Sequence, residues 1–133
     1  MVHKYRLLLK SSWGIAIDID AEAAQLQSSE KGIVLTVQAN VRQDEIKFLK
    51  AGLQLVAPQI LGRCSGTRIV VNKIDYNPTD YQPEGIACAI AGWAAKNFGF
   101  EWPEVPVAFE NNRYVFQFPN RIQTASLNIP VEV

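Results

Sequence analysis

The chain has 133 residues with 13 basic and 13 acidic side chains, so its formal net charge is zero. This length fits a single domain, residues 1–133, with a substantial core. The hydrophobic share of 48% excludes a disordered chain, and the balanced charge removes any general attraction to nucleic acid or to an anionic membrane.

Three strands are predicted ahead of the first helix, at residues 4–9, 13–20 and 33–39. The middle strand alternates most clearly, with Ile15, Ile17 and Ile19 on its inward face. Residues 21–26 fit either a short helix or a continuation of that strand. A sheet is therefore expected to begin the fold.

The first helix carries the strongest amphipathic pattern in the chain. Its apolar residues recur at spacings of 3, 4, 3 and 4, at Ile46, Leu49, Leu53, Val56 and Ile60. Asn40 is predicted to cap the helix, with Gln43 in the capping-box position. Pro58 should tighten the last turn, and Gly62 should end it.

A strand at residues 68–76 and an apolar helix at residues 83–98 form the centre of the chain. Pro78 breaks the strand, Asp80 is the nearest oxygen able to cap the helix, and Gly99 is a good stop residue. The helix is apolar nearly all round, which is typical of burial on more than one side. It is shorter than the roughly 18–20 apolar residues that a membrane span needs. We expect a core helix; the alternative is that its small-residue face meets a second copy.

The last part of the chain is predicted to form a hairpin. A proline-rich connection at residues 101–106 leads to strands at 107–109 and 114–118, joined by a turn in which Asn111 and Asn112 tolerate positive φ. A short edge strand is predicted at residues 126–129. The order β-β-β-α-β-α-β-β predicts an α+β fold, with a mixed or antiparallel sheet and two helices on one face.

Residues 33–98, about half of the chain, resemble domain IV of elongation factor G in the order and spacing of their features. The resemblance rests on Lys50 and Gly52 in the first helix, the strand at 67–76, and Asp80 ahead of an Ala-rich helix. It implies a left-handed βαβ crossover and suggests association with RNA or the ribosome. The chain has no Gly-rich GTP-binding loop, and no counterpart of the family's basic RNA-contacting tip can be assigned.

The residues available for catalysis are few. The single histidine, His3, is expected at a solvated strand end, although any Ser-His-Asp or Cys-His catalyst would have to use it. Cys64 and Cys88 have neither a disulfide-framework nor a metal-ligand spacing. The first ten residues lack the apolar core of a secretion signal. We therefore expect free thiols in a cytoplasmic protein, with no catalytic residue, metal or cofactor assigned.

One group of polar and aromatic residues is expected at the start of the central helix, and one aromatic residue lies in the proline-rich connection. These candidate partner-binding residues are Asp75, Tyr76, Asp80, Tyr81, Glu84 and Trp102. The carboxylates could cap the helix, act as acid or base groups, or bind a partner's Lys or Arg. Trp102 is expected to belong to the core; the alternative is that it is an exposed anchor.

Three functions are consistent with this pattern. The sequence favours a non-catalytic protein-interaction module, with self-association as one form of that interaction. The second is a small enzyme or ligand-binding protein that uses Asp75, Asp80 and Glu84. The third is an RNA- or ribosome-associated domain, by fold analogy alone. A membrane partner is not expected, and the scattered basic residues disfavour nucleic acid.

Overall fold

The fold is described from a computed structural model, for residues 1–9, 13–26, 30–118 and 129–133. Its strands are β1 (Val2–Leu7), β2 (Ile15–Ala24), β3 (Gly32–Val37), β4 (Gly66–Tyr76), β5 (Val107–Glu110), β6 (Arg113–Phe116) and β7 (Val131–Glu132). Its helices are α1 (Gln43–Leu61), between β3 and β4, and α2 (Glu84–Phe98), between β4 and β5. The predicted α+β class and order of elements are confirmed, with β7 added at the end.

The main sheet is mixed, in the strand order β1-β2-β4-β3-β7. β2 pairs antiparallel with β1 and β4, whereas β3 pairs parallel with β4 and β7. Helix α1 therefore connects two adjacent parallel strands. The handedness implied by the resemblance stays a prediction. The strand predicted at residues 126–129 lies outside the described residues, apart from Ile129, which is in no strand.

β2 shows why the sheet has one apolar face. Ile15, Ile17 and Ile19 are buried, as predicted, whereas Asp18 points to the other face and pairs with Arg6 at 2.8 Å. The alternation continues to Ala21, which is also buried. The ambiguous segment after the predicted strand is thus further strand as far as the end of β2.

Helix α1 buries its whole predicted apolar stripe against the core. The prediction that Asn40 caps the helix is wrong, because the helix begins later and Arg42 is its N-cap. The Arg42 backbone N–H donates to Glu45 Oε1 at 2.9 Å, so a carboxylate inside the first turn does the capping. Pro58 lies in the last turns, and Gly62 follows the last helical residue, as predicted.

Helix α2 ends as predicted but begins differently. Gly99 has a φ of 74° and donates its N–H to Ala95 O at 2.9 Å, which is a left-handed stop. The prediction that Asp80 caps α2 is wrong. Pro83 holds the N-cap position, and Asp80 ends a separate turn of 3₁₀ helix that the side chain of Asn77 caps.

The small residues of α2 are covered by other parts of the same chain. A Cβ at Gly52 of α1 would overlap the carbonyl oxygen of Ala87, so the two helices cross at close range there. The ring of His3 in β1 lies directly over Gly92. Ala87 and Ala91 have no exposed surface. The core-helix prediction is confirmed, and at Ala87 and Ala91 this face is not available to a second copy.

No helix within the described part of the chain has the length and apolar content to cross a membrane. This agrees with the sequence prediction that the apolar helix is too short for a span.

The C-terminal hairpin forms a separate two-stranded sheet of β5 and β6. Asn111 and Asn112 have φ values of 54° and 62°, which confirms the predicted turn. The Tyr114 ring meets those of Trp13 and Phe109 edge-on, at centroid distances of 4.9 Å and 4.8 Å. The Tyr114 hydroxyl donates to Trp13 O at 2.7 Å. These contacts join the hairpin to the segment before β2.

Candidate binding surface around Trp102

The predicted carboxylates have different neighbours. Asp75 is exposed and pairs with Lys73, on its own strand, at 3.1 Å. Asp80 lines a shallow hollow of about 300 Å³ together with Arg6 and Leu8. Within the described residues, no three side chains of His, Cys, Asp or Glu are close enough together to hold a metal ion. The structure thus gives Asp75 and Asp80 separate surroundings rather than one shared metal-binding group.

Tyr76 and Tyr81 form a stacked pair, with ring centroids 3.8 Å apart and planes 12° from parallel. The Tyr76 hydroxyl donates to Glu45 Oε2 at 2.6 Å, and this bond raises the pKa of Tyr76. Glu45 is 5% exposed and also accepts from the Arg42 N–H. It therefore links the start of α1 to the end of β4. Glu45 is not among the site residues predicted from the sequence.

Glu84 belongs to the attachment of the hairpin. Its Oε2 accepts from Arg113 at 3.2 Å, and its Oε1 accepts from Gln82 at 3.3 Å. Gln82 is buried and binds the backbone of Tyr114 twice, donating to its O at 2.6 Å and accepting from its N–H at 3.0 Å. No local sequence pattern predicts this pairing, because the partners lie 32 residues apart.

Trp102 is placed differently, because it is half-buried between two hollows. The first hollow, which we call the Gln59 pocket, has a volume of about 390 Å³ and lies between α1 and the proline-rich connection. Its lining includes the apolar side chains of Leu55, Trp102 and Val105 and the polar side chains of Gln59, Glu104 and Gln117. Ligand sites in proteins have this kind of apolar wall with a few polar groups.

One residue of the lining, Gln59, has a buried amide oxygen. Its Oε1 has no hydrogen-bond partner within the described residues. A buried acceptor without a donor costs about 1–3 kcal/mol, and such atoms are rare in native structures. No basic side chain lines this pocket among the described residues. Within the described chain, Glu104 is exposed and makes no ion pair.

The second hollow lies on the other side of Trp102 and has a volume of about 430 Å³. His3, Lys96 and Glu104 line it together with Trp102. Burial, followed by the nearby Lys96, lowers the pKa of His3, and Glu104 acts in the opposite direction. The expectation of a solvated His3 is wrong, because its ring is half-buried against Gly92.

Both cysteine thiols are free, as predicted. The burial and the raised pKa of Cys88 do not suit a nucleophile. It is buried, and burial is the main cause that raises its pKa to about 12. The Tyr5 hydroxyl, which hydrogen-bonds to the thiol, acts in the opposite direction. Nucleophilic cysteines have a lowered pKa and some exposure, so Cys88 fits a structural role.

The geometry defines a small α+β domain with a partly enclosed apolar pocket beside an aromatic side chain. Neither a scan against protein-family models nor a search of curated proteins finds a match. The argument about function therefore starts from the surface around Trp102.

Proposed function

We propose that this protein is a non-catalytic protein-interaction module, which binds a segment of its partner at the Trp102 surface. We define this surface as Trp102 and the Gln59 pocket. The observation that carries the proposal is the half-buried Trp102 beside a partly enclosed pocket. The apolar wall of the pocket would bury a side chain of the bound segment.

Trp102 supports this proposal as an anchor. Tryptophan is enriched among the residues that dominate binding energy, because it buries a large area at low entropic cost. Trp102 is half-buried in the unbound chain, so part of its indole is preorganised while the rest is available. Pro103 and Pro106 restrict the backbone on its C-terminal side, which lowers the cost of ordering the surface on binding.

A catalytic function has less support from the same residues. Asp75 and Glu84 are paired with Lys73 and Arg113, and Cys88 is a buried thiol with a raised pKa. We further propose a cytoplasmic location, since two free thiols fit a reducing compartment.

The proposal is tested by selecting peptides from a random phage-displayed library on the immobilised wild-type protein. Fluorescence polarisation then measures the affinity of each selected peptide for Trp102→Ala and for Leu8→Ala. Leu8 is a control, because it is exposed apolar surface that lines a different hollow. We expect Trp102→Ala to weaken binding at least about tenfold and Leu8→Ala to leave it within about twofold.

Unchanged unfolding midpoints would show that both variants are folded. The proposal is wrong if the selected peptides bind Trp102→Ala as well as wild type, or if selection yields no binding peptide. Sedimentation of the wild-type protein alone tests a second copy as the occupant. In that case, the dimer would dissociate in Trp102→Ala but not in Leu8→Ala.

A further inference from the structure

A further hollow lies between α1 and the edge of the main sheet, and we call it the α1–β7 groove. It has a volume of about 700 Å³, and its lining combines a polar row of α1 with the aliphatic side chains of Ile46, Ala51, Val131 and Val133. It shares no lining residue with either hollow beside Trp102. The α1–β7 groove is therefore a separate feature of the surface.

The polar row of α1 consists of Gln43, Lys47, Lys50 and Gln54. Their spacings of 4, 3 and 4 residues place all four on one side of the helix. Within the described residues, neither lysine forms an ion pair, either with an acidic side chain or with the terminal carboxylate. No Asp or Glu of the described residues lines the groove. The glutamines both donate and accept hydrogen bonds, so the charge of the lysines selects the ligand, and a complementary ligand is anionic.

The edge of β7 presents unpaired backbone groups beside this groove. β7 is the last strand of the main sheet, and within the described residues no strand pairs with its outer edge. Val131 is in register with Leu35, whose N–H donates to Pro130 O at 2.9 Å. In a parallel pair, the residue after such an acceptor directs its own N–H and C=O away from the partner strand. The N–H and C=O of Val131 therefore face outward, where a further strand can pair with them.

The two faces of β7 differ in charge. Val131 faces α1, since it lines the groove, whereas Glu132 points to the opposite face and pairs with Arg68 at 2.6 Å. Arg68 also pairs with Glu30 at 2.6 Å, so two carboxylates surround one guanidinium on that face. Acidic side chains of an added strand are thus attracted to the α1 face. Alternate residues of a strand are about 6–7 Å apart, which suits two lysines three positions apart on a helix, with Cβ atoms about 5–6 Å apart.

A nucleic-acid strand is the other polyanion that two lysines attract. Proteins that bind single strands use aromatic side chains on which the bases stack, and no aromatic side chain of the described residues lines the groove. Ile46, Ala51 and Val131 are aliphatic instead and favour contact with methylene groups. These features favour a peptide over a nucleic acid.

We infer that the α1–β7 groove takes an acidic segment of a protein partner, bound in an extended conformation as a further strand beside β7. The backbone of the segment pairs with Val131, and its alternate carboxylates face Lys47 and Lys50. In this mode of recognition, backbone hydrogen bonds give affinity and alternate side chains give specificity. The inference goes beyond the Trp102 surface and does not depend on it.

The test is an NMR titration of the ¹⁵N-labelled protein with the peptide acetyl-Thr-Glu-Val-Glu-Val-Glu-Thr-amide. The matched probe has glutamine in place of each glutamate, and so has the same length without the charge. The signals followed are the backbone amides of Lys50, Val131 and Val133. We expect saturation by the acidic peptide with a Kd of about 0.1–1 mM at low salt, and binding of the glutamine peptide at least about threefold weaker.

Protein variants locate the charge contacts. Lys47→Gln and Lys50→Gln should each weaken binding of the acidic peptide about twofold to fivefold. Lys4→Gln is the matched control, because Lys4 is an exposed lysine of β1, at the opposite edge of the sheet. We expect it to change the affinity by no more than about 1.5-fold. Trp102→Ala should bind the acidic peptide as wild type does, so the two surfaces are tested independently.

N-methylated peptides test the strand geometry. Successive backbone N–H groups of a strand point to opposite edges, so only one alternate set can pair with β7. Methylation of the central glutamate N–H and of a neighbouring valine N–H should therefore have unequal effects, one abolishing binding and the other leaving it within about threefold.

Equal effects of the two methylations would overturn the added strand. Equal binding of the acidic and glutamine peptides, or equal effects of Lys50→Gln and Lys4→Gln, would overturn the acidic partner. The absence of any shift at the three amides up to about 5 mM peptide would overturn both. Tighter binding of a ten-nucleotide oligouridylate at the same amides would replace the protein partner by a nucleic acid. Loss of acidic-peptide binding in Trp102→Ala would contradict a separate groove.

Discussion

At the scale of single residues, the missing side chain of Gly52 sets how closely α1 and α2 approach. A Cβ there would overlap the Ala87 carbonyl oxygen and the Ile90 side chain. The obstacle includes backbone, which cannot move aside without shifting α2. A Cβ at Gly92, by contrast, would meet only the ring of His3. His3 is half-buried and belongs to β1, which is an edge strand.

We therefore expect Gly52→Ala to lower the free energy of unfolding by about 1–3 kcal/mol through overpacking. Gly92→Ala should cost clearly less, because His3 can rotate. Both variants receive the same gain in helix propensity, about 1 kcal/mol, so the comparison isolates the steric term. Urea unfolding measures the two midpoints. A Gly52→Ala protein as stable as wild type would contradict the close helix crossing.

The two cysteines should react at very different rates. Cys64 is partly exposed, whereas Cys88 is buried and its pKa is raised to about 12. At pH 8, which is about four units below that pKa, almost no thiolate forms at Cys88. We expect the folded Cys64→Ser variant to show no fast thiol in a chromogenic disulfide assay, and one thiol after denaturation. A fast reaction in the folded state would mean that α2 is open to solvent.

At the scale of elements, the hairpin depends on Gln82. Its amide satisfies both the N–H and the O of Tyr114, so Gln82→Ala leaves two buried backbone groups unpaired. We expect a loss of about 2–4 kcal/mol and faster hydrogen exchange at the Tyr114 amide. Thermal unfolding and amide exchange measure the two effects.

Glu84→Gln is the control for this prediction, since it keeps an acceptor for Gln82 but loses the charge of the partly exposed pair with Arg113. Its cost should be no more than about 1 kcal/mol. If Gln82→Ala were no worse than Glu84→Gln, the hairpin would be held mainly by its aromatic contacts and the Tyr114 hydroxyl.

Elements with a local signal were predictable from the sequence. The apolar spacing of α1 predicted its buried stripe, and Asn111 with Asn112 predicted the hairpin turn. The caps were not predictable in the same way. Asn40 and Asp80 have the right side chains, but the path of the chain placed other residues at the helix starts. β7 is only two residues long and depends on pairing with distant β3.

The candidate site was predictable in part, for the same reason. Trp102 was predicted as a candidate because it lies in the proline-rich connection, where it could be an exposed anchor. Gln59 gave no signal, since in the sequence it is an ordinary polar residue of α1. Its significance comes from the proline-rich connection, which crosses α1 more than 40 residues later in the chain. Such long-range contacts leave no local pattern.

At the scale of the whole molecule, the chain buries its own apolar helix, α2. The pocket beside Trp102 lies in a different part of the surface. α1 and β1 enclose the small residues of α2, so a second copy is not needed to complete the core. The Trp102 surface is formed by Trp102 and the Gln59 pocket, beside the small residues that α1 and β1 enclose. The proposed partner would bind there without disturbing the fold.

Native-state hydrogen exchange of the α2 amides, measured at two protein concentrations, tests this division most directly. If the chain shields α2 by itself, residues 86–94 exchange only through global unfolding, and their protection is the same at both concentrations. Rapid exchange of these amides, or protection that rises with concentration, would show that α2 depends on a second molecule for its cover and would contradict the account.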